Sequence, residues 1–132
     1  MRYKYTWIQV STQDGRLVDP HVVDPQNSQE PVFAVAVYAG EEDAMEFGNI
    51  FRRHNIERPL GDKVRSMSVG DIVVIHDAGG EPAEAHVCCS VGFNLLGGKV
   101  EQDAFTLARR GPPAHMLIRD ASAFWFELAS VV

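Results

Sequence analysis

The chain has 132 residues, of which 45% are hydrophobic and 23% charged, and its formal net charge is −6. These values fit one soluble globular domain and exclude a disordered chain. Because phosphate neutralisation supplies most nonspecific affinity for nucleic acid, the acidic balance also argues against a general DNA- or RNA-coating protein.

The compartment is predicted from three further features. No apolar run approaches the roughly 20 residues of a membrane span. The basic N-terminus has no apolar region behind it, so it does not resemble a signal peptide. The two cysteines, Cys88 and Cys89, are adjacent, which favours free thiols over a disulfide framework. We therefore expect a protein of the bacterial cytoplasm or of a phage-infected host, without a membrane partner.

The first predicted elements are two strands and a helix. Residues 3–10 and 32–38 are rich in β-branched, aromatic and small apolar types, which favour strands. The proline-rich segment 19–31 between them predicts a loop. A helix is predicted over 41–55, with acidic residues at its start, an apolar stripe from Ala44 to His54, and a stop at Asn55.

The second half of the chain predicts a hairpin, a helix and two strands. The hairpin strands are 72–76 and 86–91, and the first is apolar throughout, which is typical of a central strand. A short amphipathic helix follows at about 100–110. Residues 115–118 and 123–131 predict the last strands, and the apolar final strand is expected to pair internally or with a second copy of the chain.

These elements predict one α+β domain over residues 1–132. We expect a mainly antiparallel, bent or barrel-like sheet with the 41–55 helix packed on it. Residues 98–132 form a C-terminal extension of helix, strand and strand.

Three motifs in the middle of the chain carry a family resemblance. They are Arg53-His54-Asn55-Ile56-Glu57-Arg58-Pro59, the turn Arg65-Ser66-Met67-Ser68-Val69-Gly70-Asp71, and Ser90-Val91-Gly92-Phe93. Over about residues 32–93 they resemble the YodL-like domain. The resemblance implies an accessory protein of bacterial mobile elements, phages or plasmids, and it supplies no catalytic residue. The chain departs from the family pattern at Cys88, Cys89 and Ser90, where the family tends to have aromatic residues and an acid.

The strongest candidate surface is a basic segment. Five of the chain's 12 basic residues lie between positions 52 and 65, and such clustering would attract an anionic ligand. The alternative is a solvated loop in which Arg65 pairs with Asp71 or Asp62. The predicted ligand- or partner-binding residues are Arg53, Asn55, Arg58, Arg65, Ser66, Ser68 and Trp125.

Each of the non-basic candidates also has a structural alternative. The hydroxyls of Ser66 and Ser68 often satisfy their own turn backbone, and Trp125 fits a core or a dimer strand as well as a partner contact. If the hairpin is symmetric about Glu81, His76 faces His86, and two imidazoles at that spacing can share a zinc ion. A slip of one residue would separate them, so we predict no metal and no cofactor.

No paired carboxylates, activated nucleophile, phosphate loop or complete metal set is recognisable in the sequence. We therefore predict a non-enzymatic binding module that contacts a host protein. The alternative is a nucleic-acid-binding module similar to the PUA and ASCH barrels, which would use the basic 52–65 segment.

Overall fold

The computed structural model describes residues 2–24, 27, 30–43, 46–119 and 121–131. The six strands are β1 (Tyr3–Thr12), β2 (Val32–Glu42), β3 (Ile72–His76), β4 (Pro82–Cys88), β5 (Phe93–Leu95) and β6 (Met116–Arg119). The three helices are α1 (Phe47–Arg52), which continues as a π-helical segment (Arg53–Glu57), α2 (Gly98–Arg110) and α3 (Ala121–Val131). The predicted α+β class is confirmed.

The strands form one antiparallel sheet in the order β5-β4-β3-β1-β2-β6. All five residues of β3 are buried, and β3 lies between β4 and β1, so its prediction as a central strand is confirmed. Strands β5 and β6 are the edges of the sheet. The sheet is therefore open, and the barrel-like form considered from the sequence is wrong.

Each face of the sheet is covered by a separate core. On one face, α2 and α3 supply Val100, Leu107, Phe124 and Trp125 to the larger cluster. On the other face, Tyr5, Trp7 and Val73 pack with Ile50 of α1 and Met67 of the following loop. The segment from α1 to residue 71 therefore lies over the second face of the sheet.

The predicted start of the first helix was wrong. Strand β2 continues to Glu42, which pairs with Tyr3 of β1 in the sheet. Helix α1 begins only at Phe47. The acidic residues do not cap a helix, because Glu41 and Asp43 bind Arg2 while Glu42 binds Arg53. Residues 44 and 45, the start of the predicted apolar stripe, lie outside the described part of the chain. The stop also lies later, at Arg58, whose φ is 52°.

The predicted final strand over 123–131 was also wrong, because these residues belong to α3. Phe124, Trp125 and Leu128 are buried while Phe126 is exposed, a pattern that follows a helical face rather than strand alternation. Packing against the sheet overrides the strand propensity of the aromatic run. A homodimer through a C-terminal strand therefore loses its structural basis.

The hairpin is shorter than expected. Strand β4 is Pro82–Cys88 rather than 86–91, and residues 93–95 form a separate strand, β5. The predicted helix near 100–110 and strand near 115–118 are confirmed, with small shifts of their ends. Among the described residues, no helix has both the length and the apolar character needed to cross a membrane.

Candidate functional site

The carboxylate of Asp71 organises the motif turn. It is 0% exposed, and each of its oxygens accepts several hydrogen bonds. Oδ1 accepts from the amide of Val10 at 3.2 Å and from Arg65 at 2.7 Å. Oδ2 accepts from Trp7 Nε1 at 3.1 Å, Arg65 at 2.8 Å and the amide of Ser68 at 3.1 Å. Arg65 is thus held in a bidentate pair with Asp71, which is the structural alternative raised by the sequence.

Position 70 of the same turn requires a glycine, both because of its backbone conformation and because the neighbouring backbone lies close to it. Its φ is +96°, and a Cβ atom would lie 2.1 Å from the carbonyl oxygen of Val18. Its amide donates to the carbonyl of Cys88 at 2.8 Å. The turn therefore joins the start of β3 to the end of β4 and leaves no space for a side chain.

The side chain of Asn55 connects the π-helical segment to the motif turn. Its Nδ2 donates to the carbonyl of Met67 at 3.0 Å, and its Oδ1 accepts from the amide of Met67 at 2.6 Å. The hydroxyl of Ser68 donates to the carbonyl of Ser66 at 3.4 Å. The side chains of Asn55 and Ser68, predicted to bind a ligand, therefore bind backbone groups of the motif turn in this structure.

The other arginines of the predicted site also contact their own fold. Arg53 donates to the carbonyl of Glu41 at 2.7 Å and pairs with Glu42 at 2.8 Å. Arg58 donates to the carbonyls of Asp62 and Val64. Of the five cations in the 52–65 segment, Arg52, Arg53, Arg58 and Arg65 have a carboxylate within 4 Å. The segment is therefore a largely neutralised structural network.

Two sequence hypotheses are contradicted by the structure. Trp125 is 1% exposed, so it belongs to the core and is not presented to a partner. His76 faces Pro82 while His86 faces Val73, because the register shifts between Ile75 and His76. His76 instead contacts Thr6 Oγ1 and the carbonyl of Gly80, both at 2.8 Å. The two histidines cannot share a zinc ion in this register, and the described residues contain no group of three or more metal-ligating side chains.

An apolar pocket that the sequence did not predict lies between α1 and the β4–β5 turn. The ring of Phe47 stacks on that of Phe93, with centroids 4.7 Å apart and an interplanar angle of 21°. Phe51 is 39% exposed, and Val91 on the turn is 88% exposed. The pocket has a volume of about 290 Å³ and is lined by Phe47, Gly48, Phe51, Cys88, Cys89, Ser90, Gly92 and Phe93. We call it the α1 pocket.

The α1 pocket could have been suspected from two signals in the sequence. Phe47 and Phe51 are separated by one helical turn, and Gly92-Phe93 is part of a family motif. The pocket is also lined by Cys88, Cys89 and Ser90, the three residues that precede Val91 in the chain.

Two titratable groups near these features, Cys88 and His54, are held in their neutral forms by burial. Burial, followed by the charge of Asp71, raises the pKa of the Cys88 thiol to about 12, so this thiol is protonated at neutral pH. Burial, followed by the charge of Arg53, lowers the pKa of His54 to about 4. His54 accepts or donates a 2.8 Å hydrogen bond with the hydroxyl of Tyr5, and its ring lies 4.4 Å from that of Trp7. His54 therefore packs against the second core, and Cys88 lines the α1 pocket as a neutral thiol.

Comparison with protein families gives a match to the YodL-like domain over residues 18–97. The matched region contains all three motifs and the α1 pocket, and it extends beyond the 32–93 range expected from the sequence. The resemblance is thereby confirmed. Comparison with the curated proteins and with the solved structures gives no match.

Proposed function

The chain belongs to the YodL-like domain family, and from this premise we propose that it is a non-enzymatic protein-binding module whose partner occupies the α1 pocket. The observation that carries the proposal is the exposed apolar rim of this pocket. Phe51 lines the pocket with the stacked rings of Phe47 and Phe93 and is 39% exposed, and Val91, between the lining residues Ser90 and Gly92, is 88% exposed. Exposed apolar patches of this kind mark interaction surfaces, and aromatic residues are enriched at protein interfaces.

The lining of the α1 pocket suits a partner side chain better than a small metabolite. Metabolite pockets usually place several polar groups around an apolar cavity to fix the ligand's orientation. Here Ser90 provides the one polar side chain among the lining residues. An aliphatic or aromatic side chain of a partner needs no such groups.

The state of the buried titratable groups also supports a binding role. A nucleophilic thiol has a lowered pKa, whereas that of Cys88 is raised to about 12. A general base works best with a pKa near the operating pH, whereas that of His54 is about 4. Neither pKa suits a nucleophile or a general base at neutral pH, which supports the proposed binding role.

The family resemblance gives the proposal its biological setting. Because the family recurs on phages, plasmids and other mobile elements, the partner is proposed to be a host protein in the bacterial cytoplasm. The alternative, a nucleic-acid-binding module that uses the 52–65 segment, would require arginines that now bind Glu42, Asp62 and Asp71 to exchange these partners for phosphates. Such binding would weaken steeply with salt.

The proposal can be tested by capture from a lysate of the native host with two matched variants. Val91→Asp places a charge at the rim of the α1 pocket. Val22→Asp places the same charge at another valine, which is 72% exposed and is not among the lining residues of the pocket. We expect the wild-type chain and Val22→Asp to retain a common protein partner that Val91→Asp loses. Equal capture by all three chains, or equal loss in both variants, would contradict the proposal.

A further inference from the structure

Strand pairing accounts for only part of the outer edge of β2 among the described residues. Strand β6 pairs with Val32, Phe33 and Ala34, whereas β2 runs on to Glu42. Among the described residues, no strand pairs with the remaining outer edge of β2. An uncovered edge of this length is a template for another strand.

Two contacts mark the ends of the uncovered edge. The carbonyl of Ala34 accepts a hydrogen bond from the amide of His115, and the carbonyl of Glu41 accepts one from Arg53 at 2.7 Å. Because backbone groups alternate in direction along a strand, those of Val37 and Ala39 point outward like that of Glu41. The open slot between these contacts covers residues 35–40, or roughly 20 Å at 3.3 Å per residue.

We propose that this slot binds an extended segment of a partner protein by strand addition. The slot sequence, Val35 to Gly40, contains no charged residue and no proline, although natural proteins commonly use both to protect an open edge. Main-chain hydrogen bonds to Val37 and Ala39 would supply affinity that does not depend on the partner's sequence.

The ends of the slot favour a short segment over a second copy of this chain. A second β2 is eleven residues long and carries its own β6 and Arg53 beside it. The slot spans about six residues and is closed by the same two features. An extended segment with free ends fits between them.

Two cavities beside the slot can select the partner's side chains. Ser11 lines one cavity and Tyr5 lines the other. Both residues are on β1, six positions apart, and the bulge lies in β2, so the side chains of Tyr5 and Ser11 point to the same face of the sheet. One cavity, of about 250 Å³, contains Ser11, Phe33, Val35 and His115 among its lining residues. The other, of about 400 Å³, contains Tyr5, Gly40, Pro59 and Leu60.

The separation of the cavities defines the chemistry of the segment. Residues 35 and 40, one from each cavity, are roughly 16 Å apart along β2. Side chains at positions i and i+4 of an added strand lie on one face, roughly 13 Å apart. Each cavity combines polar residues with an apolar part, Phe33 and Val35 in one and Pro59 and Leu60 in the other, and these apolar parts would accept apolar side chains. The expected partner is an uncharged extended segment with apolar residues four positions apart.

The probe for this proposal is a displayed library of random linear peptides selected on the full chain. Two variants at one position separate the backbone from the side chain. Ala39→Pro removes the outward amide, and proline is tolerated on edge strands, whereas Ala39→Thr keeps the amide. We expect selected peptides to bind the wild-type chain and Ala39→Thr, and to bind Ala39→Pro about tenfold or more weakly.

Hydrogen exchange on the wild-type chain provides a second readout that does not depend on the variants folding. Bound peptide should protect the amides of Val37 and Ala39. The proposal is overturned if no peptide is selected, if Ala39→Pro binds as well as Ala39→Thr, or if protection falls instead on residues 88–93 of the α1 pocket. A wild-type dimer that Ala39→Pro abolishes would overturn it in favour of a second copy. Val91 is not among the lining residues of either cavity, so Val91→Asp and Ala39→Pro test the two proposals separately.

Discussion

Replacement of Asp71 by Asn tests whether the family motif is architectural. The change keeps the shape of the side chain but replaces one acceptor oxygen with an NH₂ group. Every group described around the carboxylate is a donor, from Arg65, Trp7, Val10 and Ser68. The new NH₂ therefore faces other donors, and Arg65 loses its anionic partner.

The expected loss is large for a domain of this size. Removing one member of a fully buried ion pair costs about 3–5 kcal/mol. Arg65 is 30% exposed, so its lost partner costs about the lower end of that range, and an unsatisfied buried donor costs about 1–3 kcal/mol. Because these costs overlap, we expect Asp71→Asn to lower the free energy of unfolding by about 3–5 kcal/mol. That is a large part of the roughly 5–15 kcal/mol typical of a native domain. Urea denaturation followed by far-UV circular dichroism measures the change.

Asp77 offers a matched control for this measurement. Its carboxylate also accepts two backbone hydrogen bonds, from Gly79 at 2.9 Å and Glu81 at 3.0 Å, but it is exposed in the hairpin loop. Asp77→Asn keeps an acceptor oxygen and leaves no buried charge, so its expected loss is below about 1 kcal/mol. The reasoning is refuted if Asp71→Asn costs less than about 1 kcal/mol, or no more than Asp77→Asn.

Three further predictions concern the same face of the sheet. Gly70→Ala should lower the free energy of unfolding by about 2 kcal/mol more than Gly80→Ala. Both glycines have a positive φ, but only at Gly70 would a Cβ atom meet backbone, at 2.1 Å; equal denaturation midpoints would contradict this. Asn55→Ala should lower the free energy of unfolding by about 1–3 kcal/mol, because two hydrogen bonds to Met67 are lost, whereas the exposed Asn49→Ala should lower it by less than about 1 kcal/mol; thermal unfolding measures both. The pKa of His54 is about 4 in the folded chain and 6.5 ordinarily, so the unfolded state binds more protons between these two pH values. The contribution of His54 to the free energy of unfolding is therefore complete above pH 6.5 and falls by about 2–3 kcal/mol towards pH 4. His54→Gln should flatten this part of a pH series of urea midpoints, and an unchanged slope would show that His54 does not titrate in this way.

The sequence predicts elements whose signal is local. Strands β1, β2 and β3 follow from runs of apolar residues, and α2 from its amphipathic spacing and the prolines after it. The start of α1 was mispredicted because an acidic residue such as Glu41 is compatible both with a helix N-terminus and with the end of a strand, and the sequence alone does not distinguish the two. Its true partner, Arg2, lies just before the neighbouring strand β1, 39 residues earlier in the chain.

The same limit explains the site. A basic cluster is visible in the sequence, but whether its arginines are free depends on distant partners such as Glu42 and Asp71. The α1 pocket was missed because its walls come from α1 and from the β4–β5 turn, which are far apart in sequence. Likewise the run from Phe124 to Phe126 has strand propensity, and only packing against the sheet makes it helical.

Partner binding at the α1 pocket is tested most directly by comparing capture by Val91→Asp with capture by the double variant Arg52→Ala, Lys63→Ala, at low and high salt. Arg52 and Lys63 are exposed cations of the basic segment, and their removal leaves the Asp71 network in place. We expect Val91→Asp to lose the partner, and the double variant to retain it with little dependence on salt. Retention by Val91→Asp together with a steep salt-dependent loss in the double variant would exclude the α1 pocket as the binding site and favour nucleic-acid binding.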